Sequence, residues 1–477
     1  MSFKIAFIGA GSIGFTRKLT EDLLLVPELN DVELSFMDIS ERNLDMVSRL
    51  VRMDLDANGM SGLTFTATTD RAEALKDAKY VFSVVRIGGL EAFETDIEIP
   101  LKYGIDQCVG DTLSAGGIMY GQRNIAFILD LCRDIKTYAR PDCLFLNYAN
   151  PMAMNTWAAH TYGGVRTVGL CHGVQGGHEL LADALGLAPC ELDYSCVGIN
   201  HQTWYVKLSH KGADMTGKIL EALENHPVYS EQEKVRIDML KRFGYFSTES
   251  NGHLSEYLPW YRKRHDEICS WVDMRKWIHG ETGGYLRQCR ENRNWFEEEF
   301  PKLAAEGAKT YKKEDRSSEH GSYIIEALET GRGYRGHFNV INGGAVANLD
   351  EDCVVEVPGY VDRNGLFPLD TGPLPPGPAA VCRRSILVQR LAVEAAVSGD
   401  AALLKQAMLM DPLTGAMCTP PEVWQLTDEM LIAGEQWLPQ YKDAISDAKK
   451  RLANGLSLPR PFEGYRGAAR KESAGTE

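Results

Sequence analysis

An α/β fold built on a doubly wound, parallel, dinucleotide-binding sheet is predicted by three observations. A short apolar strand, residues 4–8, runs into Gly9-Ala10-Gly11-Ser12-Ile13-Gly14 and then into a helical stretch. A second apolar run ends on Asp38, 24 residues beyond Gly14, where an acid meets an adenosine ribose. Strand-like and helical runs then alternate as far as Cys171, the pattern of a parallel sheet with crossover helices. At 477 residues the chain exceeds one ordinary core. The expected division is a Rossmann-type NAD domain over residues 1–195, an α+β catalytic and oligomerisation domain over 196–462, and a flexible tail over 463–477.

Each element has its reason. Gly9 permits the tight turn, Gly11 lets a pyrophosphate approach the backbone, and Gly14 is expected to let helix pack on strand. Ser12 and Ile13 lie at the helix N-terminus, whose free N–H groups favour negative charge. Asp38 favours NAD over NADP, although Arg42 stands close enough to offer a 2′-phosphate some affinity. Helices are expected over residues 15–25, 41–54, 71–78 and 118–138, and strands over 32–37, 64–68 and 80–85. Two loops stand out: Arg86-Ile87-Gly88-Gly89-Leu90, expected over the nicotinamide, and a glycine-rich one carrying Asp111. Apolar runs 143–149 and 166–171 read as buried strands that deliver Asn150 and Cys171 at their ends, where an open sheet binds ligands. His201 closes a third run. With Cys171 it offers a thiolate and an imidazole to one divalent ion, at a spacing that matches no standard zinc signature.

Beyond His201 the alternation fades. A strand is expected over 202–209 and a helix over 230–243, then a polar loop over 247–260 rich in hydroxyls, acids and aromatics. Residues 271–295 suggest a further loop able to close over a site. A helix is expected over 316–330 and strands over 352–361. A helix over 379–399 is apolar enough for burial, a feature common at subunit interfaces.

Composition narrows the function classes. With 44% hydrophobic and 25% charged residues the chain is globular, and its net charge of −15 argues against nucleic-acid or anionic-membrane partners. Residues 1–15 lack a basic segment followed by a long apolar core, and no later apolar run spans 18 residues, so a cytoplasmic location is expected. Eleven scattered cysteines suit reduced thiols.

Taken together, F-I-G-A-G-S, D-T-L-S-A-G-G-I, L-N-Y-A-N-P-M-A-M-N-T-W, G-L-C-H-G-V-Q-G, G-I-N-H and T-E-S-N-G-H-L-S-E-Y resemble glycoside hydrolase family 4 over nearly the whole chain. That family is an exception to two-carboxylate glycoside hydrolysis. The resemblance implies NAD and a divalent metal, Mn²⁺ or another, as cofactors. It also implies oxidation at C3, loss of the C2 proton, elimination of the aglycone, addition of water and return of the hydride, with no net redox change. It implies that Cys171 and His201 bind the metal, that Asn150 binds substrate hydroxyls, that Asp111 protonates the leaving group, and that Tyr257 removes the C2 proton, with His253 or Tyr261 as alternatives. Asn200 and His172 are further substrate-binding candidates, His172 against a packing role. The wording of these motifs is nearest to the branch that cleaves α-galactosides.

Phosphosugar members hold their phosphate with an arginine after the position of Leu90. The matching stretch here, Glu91-Ala92-Phe93-Glu94-Thr95-Asp96, adds three acids and no cation, which favours an unphosphorylated hexoside. An α-glucoside stays open, as does an α-galacturonide or α-glucuronide, whose carboxylate Arg86, Arg290 or Arg293 could meet. From other classes, a 2-hydroxy acid dehydrogenase or a non-catalytic NAD sensor shares the opening fold. A homodimer or homotetramer is expected.

Overall fold

The computed structural model describes residues 3–293 and 295–460; the tail expected over 463–477 lies outside them. One mixed sheet of twelve strands organises the chain. Its parallel half runs in the order β3 (Phe65–Thr68), β2 (Glu33–Met37), β1 (Lys4–Ile8), β4 (Ala78–Ser83), β5 (Leu144–Asn147) and β6 (Thr167–Gly169). That is the Rossmann order, with its switch point between β1 and β4. The strands are short and apolar because both faces are covered by helices. Phe7 stacks on Phe82 at 4.9 Å and meets Phe36 edge-on at 5.1 Å, fixing β1 between its neighbours.

The sheet does not stop at β6. The antiparallel strand β10 (Tyr334–Ile341) joins through Asn339 opposite Gly169, followed by β11 (Val354–Asp362), β7 (Asp193–Ile199), β8 (Gln202–His210) and β9 (Ala213–Asp214), while β12 (Gly365–Pro368) pairs with β11. β7 therefore crosses residue 195 as part of a continuous sheet. β10 has no counterpart among the expected elements, because Gly336, His337 and Asn339 interrupt its apolar run.

Several expectations need correction. The helix begun at Arg71 ends at Leu75, because Asp77 takes a left-handed φ of 60° and the chain re-enters the sheet at Ala78. The stretch 247–260 is no solvated loop. It contains the helix Asn251–Tyr257, every residue of which is buried. Glu91, Glu94 and Asp96 lie on the helix Gly89–Lys102 and are neutralised by arginines: Glu91 by Arg293 at 3.2 Å, Glu94 by Arg290 at 2.8 Å, and Asp96 by a buried bidentate pair with Arg123. They form no bare acidic cluster, so the repulsion expected against a phosphate loses its basis. Arg290 and Arg293 are likewise occupied. The apolar helix, Pro376–Ser398, is buried as expected, packed against helices Ser114–Tyr138 and Ala401–Met410 of its own chain. No helix among the described residues is long and apolar enough to cross a membrane.

Candidate active site

Ligand-binding groups converge at the carboxyl ends of β1, β4, β5 and β6. The turn after β1 is held by Gly9 and Ala10, both donating to the Met37 carbonyl at 2.9 Å, with Gly9 at φ 89°. Asp38 closes this loop: its carboxylate accepts from Gly11 N at 2.8 Å and from Ser40 N at 2.8 Å. A Cβ on Gly11 would stand 2.6 Å from Asp38 Oδ2, so this glycine is required for the close approach. Gly14 has a different role from the one expected. A Cβ there would meet nothing within 4 Å, so it faces open space rather than a strand. Arg42 is engaged by Glu297 at 2.5 Å.

A cavity of about 260 Å³ joins this loop to the predicted chemistry, lined among others by Ser12, Arg86, Asp111, Asn150 and Tyr285. Arg86 packs its guanidinium over the rings of Phe93 at 4.2 Å, Tyr120 at 5.2 Å and Tyr285 at 5.4 Å. Asn150, just past β5, donates Nδ2 to Asp111 Oδ2 at 2.8 Å. Asp111 Oδ1 accepts from Thr112 Oγ1 at 2.8 Å, and Thr112 Oγ1 lies 2.8 Å from His201 Nδ1. With the hydroxyl proton directed to Asp111, His201 is the donor to Thr112 Oγ1. This assigns the Nδ1–H tautomer and leaves Nε2 with a free lone pair, the form a metal ligand needs.

His201 occupies the tip of the tight β7–β8 hairpin with a left-handed φ of 62°, a conformation costly for a non-glycine residue. There it reaches the Cys171 side chain two residues beyond β6. Donor atoms of Cys171, His201 and Glu249 lie within 4.8 Å of one another, as do those of Asp111, His201 and His253. Glu249 Oε2 is 3.5 Å from His201 Nε2 and 3.1 Å from His253 Nε2. Burial raises the Glu249 pKa, but the charges of His253, His201, His172 and Arg236 outweigh it and hold the group at about 2. Burial lowers that of His201. At neutral pH the site thus offers an ionised carboxylate and a neutral imidazole. The Cys171 thiol is pushed well up by burial and by Glu356 and Glu249, so a cation must displace its proton; the sulfur already accepts from Gly173 N at 3.3 Å. One sulfur, one imidazole and one carboxylate fit a divalent transition ion with coordination positions left for substrate oxygens.

Tyr257 is wholly buried at the end of the helix Asn251–Tyr257, and its hydroxyl has no hydrogen-bond partner among the described residues. Burial, then Asp111 and Glu256, push its pKa well above 10. Tyr261 instead donates to Asp238 at 2.8 Å and is already engaged. Asn200 is 1% exposed and donates to Glu356 Oε2 at 3.4 Å, on the Cys171 side of the hairpin. Its Oδ1 is buried and has no hydrogen-bond partner among the described residues. Glu356, buried on β11, is pushed up to about 8 by burial and stays protonated at neutral pH. His172 is exposed, 3.5 Å from Glu319. Sequence reasoning missed Glu249 and Glu356. The i,i+4 spacing of Glu249 and His253 was the available signal for the first, whereas nothing local marks Glu356 inside an apolar strand.

Fold and site together define a dinucleotide-binding α/β protein that sets a transition-metal donor cluster beside its cofactor cleft. Residues 4–187 match the model of family 4 glycosyl hydrolases and residues 196–414 that of the family's C-terminal domain. The chain belongs to glycosyl hydrolase family 4, which decides against the dehydrogenase and sensor readings. It is 58% identical over 472 residues to an alpha-galactosidase of Rhizobium meliloti (strain 1021), covering 99% of this chain and 96% of that one. It is 34% identical to an alpha-galactosidase of Bacillus subtilis (strain 168), covering 92% and 100%. A 6-phospho-alpha-glucosidase from gut microorganisms, solved in complex with NAD and glucose-6-phosphate, superposes with a TM-score of 0.75 at 25% identity, covering 92% of this chain and 99% of that one.

Proposed function

We propose that this enzyme hydrolyses unphosphorylated α-galactosides, using NAD and a divalent cation, Mn²⁺ or another, as catalysts that are regenerated at each turnover. The observation that carries the mechanism is the meeting of Cys171, His201 and Glu249 beside the cavity that runs from Ser12 to Asp111. The substrate class is supported by the 58% identity to an alpha-galactosidase over almost the whole chain. A dinucleotide on the glycine loop would supply a hydride acceptor, and a cation held by Cys171, His201 and Glu249 would supply Lewis acidity that makes the C2 proton removable and lowers the pKa of a nearby hydroxyl.

The chain's own residues do the rest. Gly9, Gly11, Ser12, Ile13, Gly14 and Asp38 form the dinucleotide cradle, and Arg86 fixes the far side of the cavity. Asn150 holds a sugar hydroxyl while keeping Asp111 in place. Asp111, entering this step with a proton, gives it to the aglycone oxygen as the C1 bond breaks. Tyr257, whose hydroxyl has no hydrogen-bond partner among the described residues, takes the C2 proton as the phenolate that a cation's charge would favour. His172, exposed beside the donors, borders the sugar. A cytoplasmic setting suits the free thiols, all eleven of which are unpaired. A homodimer or homotetramer would cover the exposed Tyr360, Phe367 and Leu369 near the β11–β12 edge.

The test is a panel of p-nitrophenyl hexosides and uronides assayed after removal of bound dinucleotide and metal. Activity on the α-galactoside is expected only when NAD⁺ and a divalent cation are both restored, with no net accumulation of NADH. Equal turnover without dinucleotide, or preference for a uronide or glucoside, would contradict the proposal.

A further inference from the structure

The stretch 105–113 that carries Asp111 has neither helix nor strand, yet every residue of it is buried. Buried backbone groups outside regular structure need partners. Three consecutive N–H groups here point at a single carboxylate: Glu256 Oε2 accepts from Cys108 N at 2.7 Å and Val109 N at 3.0 Å, and Oε1 from Gly110 N at 2.9 Å. Successive N–H groups converging in this way form an anion-binding concavity, which this chain fills from within. Glu256 is 0% exposed. It lies on the helix Asn251–Tyr257, immediately before Tyr257 and three residues after His253.

The surroundings make the grip tight. Gly110 has φ 64°, and a Cβ there would stand 2.4 Å from Ile97 Cδ1; a Cβ on Gly252 would stand 3.0 Å from Cys108 Sγ and 2.7 Å from the Trp277 carbonyl. Helix and loop are therefore pressed together at Gly252, and Gly110, at a φ that favours glycine, holds the loop against the helix Gly89–Lys102. On the other side of Asp111, Asp411 accepts from Ser114 N at 3.0 Å.

We infer that Glu256 is a positioning residue for leaving-group protonation: through the three amides it sets the place of Asp111 relative to the helix that ends in Tyr257. The inference rests on the proposed role of Asp111 as acid. The carboxylate couples the two proton-transfer groups of the site, one on each partner of the clamp, so that they keep a common frame when substrate enters. An amide in its place keeps the shape but turns one end into a donor, which then faces an N–H and loosens the loop.

The test compares an activated and an unactivated substrate, p-nitrophenyl and methyl α-galactoside, in the holoenzyme. A good leaving group departs without a proton and a poor one does not, while a smaller folded fraction lowers both rates equally. Glu256→Gln is expected to lower kcat on the methyl galactoside about tenfold more than on the p-nitrophenyl galactoside, within the range of a displaced general acid. Asp111→Asn is the reference and should show the same selectivity more strongly. If Glu256→Gln does not accumulate as folded protein, Glu256→Asp, which shortens the acceptor, is read by the same ratio. Equal losses on both substrates for the Glu256 variant, with selective loss for Asp111→Asn, would overturn the inference alone. Equal losses for Asp111→Asn would remove Asp111 as the acid and the inference with it.

Discussion

Replacing Cys171 with serine is expected to lower kcat on an α-galactoside by about three orders of magnitude. Charge stabilisation by a bound cation amounts to several kcal/mol, and each 1.36 kcal/mol is a factor of about ten in rate. Cys171 supplies the only sulfur in the donor trio, and an alcohol oxygen is a far poorer ligand at neutral pH. The fold should survive, because serine is smaller than cysteine and the residue lies just past a strand end. Dinucleotide affinity should stay within a few-fold, since the glycine loop belongs to a different strand. Steady-state kinetics with a metal titration and a separate dinucleotide-binding measurement separate these effects. Retained activity at saturating metal would remove Cys171 from the site.

The second large effect concerns the cofactor. Gly11→Ala places a methyl 2.6 Å from Asp38 Oδ2 and 3.1 Å from Asn43 Cβ. Either the loop shifts or the Asp38 carboxylate leaves its bond to Gly11 N, and both disturb the surface on which the pyrophosphate and ribose rest. Overpacking of this order costs about 1–3 kcal/mol, a rise of roughly 5- to 150-fold in the dissociation constant for NAD⁺. Fluorescence titration or calorimetry reads it directly. Unchanged affinity would place the dinucleotide elsewhere.

How much of this was legible from the sequence follows from which forces are local. The glycine turn, the acid after β2, and the strand ends that present Asn150 and Cys171 were readable, because a short apolar strand followed by a turn fixes backbone direction within a few residues. The pairing of Cys171 with His201 was readable as chemistry but not as distance: it needs β10, β11 and β7 to bridge β6 and the hairpin. Gly14 shows the limit of a motif, since its spacing was right and the reason attached to it was not. The helix Asn251–Tyr257 escaped because burial of Asn251, His253, Ser255 and Glu256 reverses the usual amphipathic pattern. Their polar groups serve the Asp111 loop, the neighbouring segments and the metal donors, contacts over a hundred residues away in the case of Glu256. The acids Glu91, Glu94 and Asp96 misled for a related reason: charge read along the sequence omits the arginines that fold back onto it.

The central claim, that the sugar is deprotonated at C2 before its aglycone leaves, is tested most directly by hydrolysing an α-galactoside in D₂O with the holoenzyme and locating deuterium in the released galactose. Galactose carrying one deuterium at C2 is the predicted result. Galactose with hydrogen retained at C2 after complete turnover would contradict it.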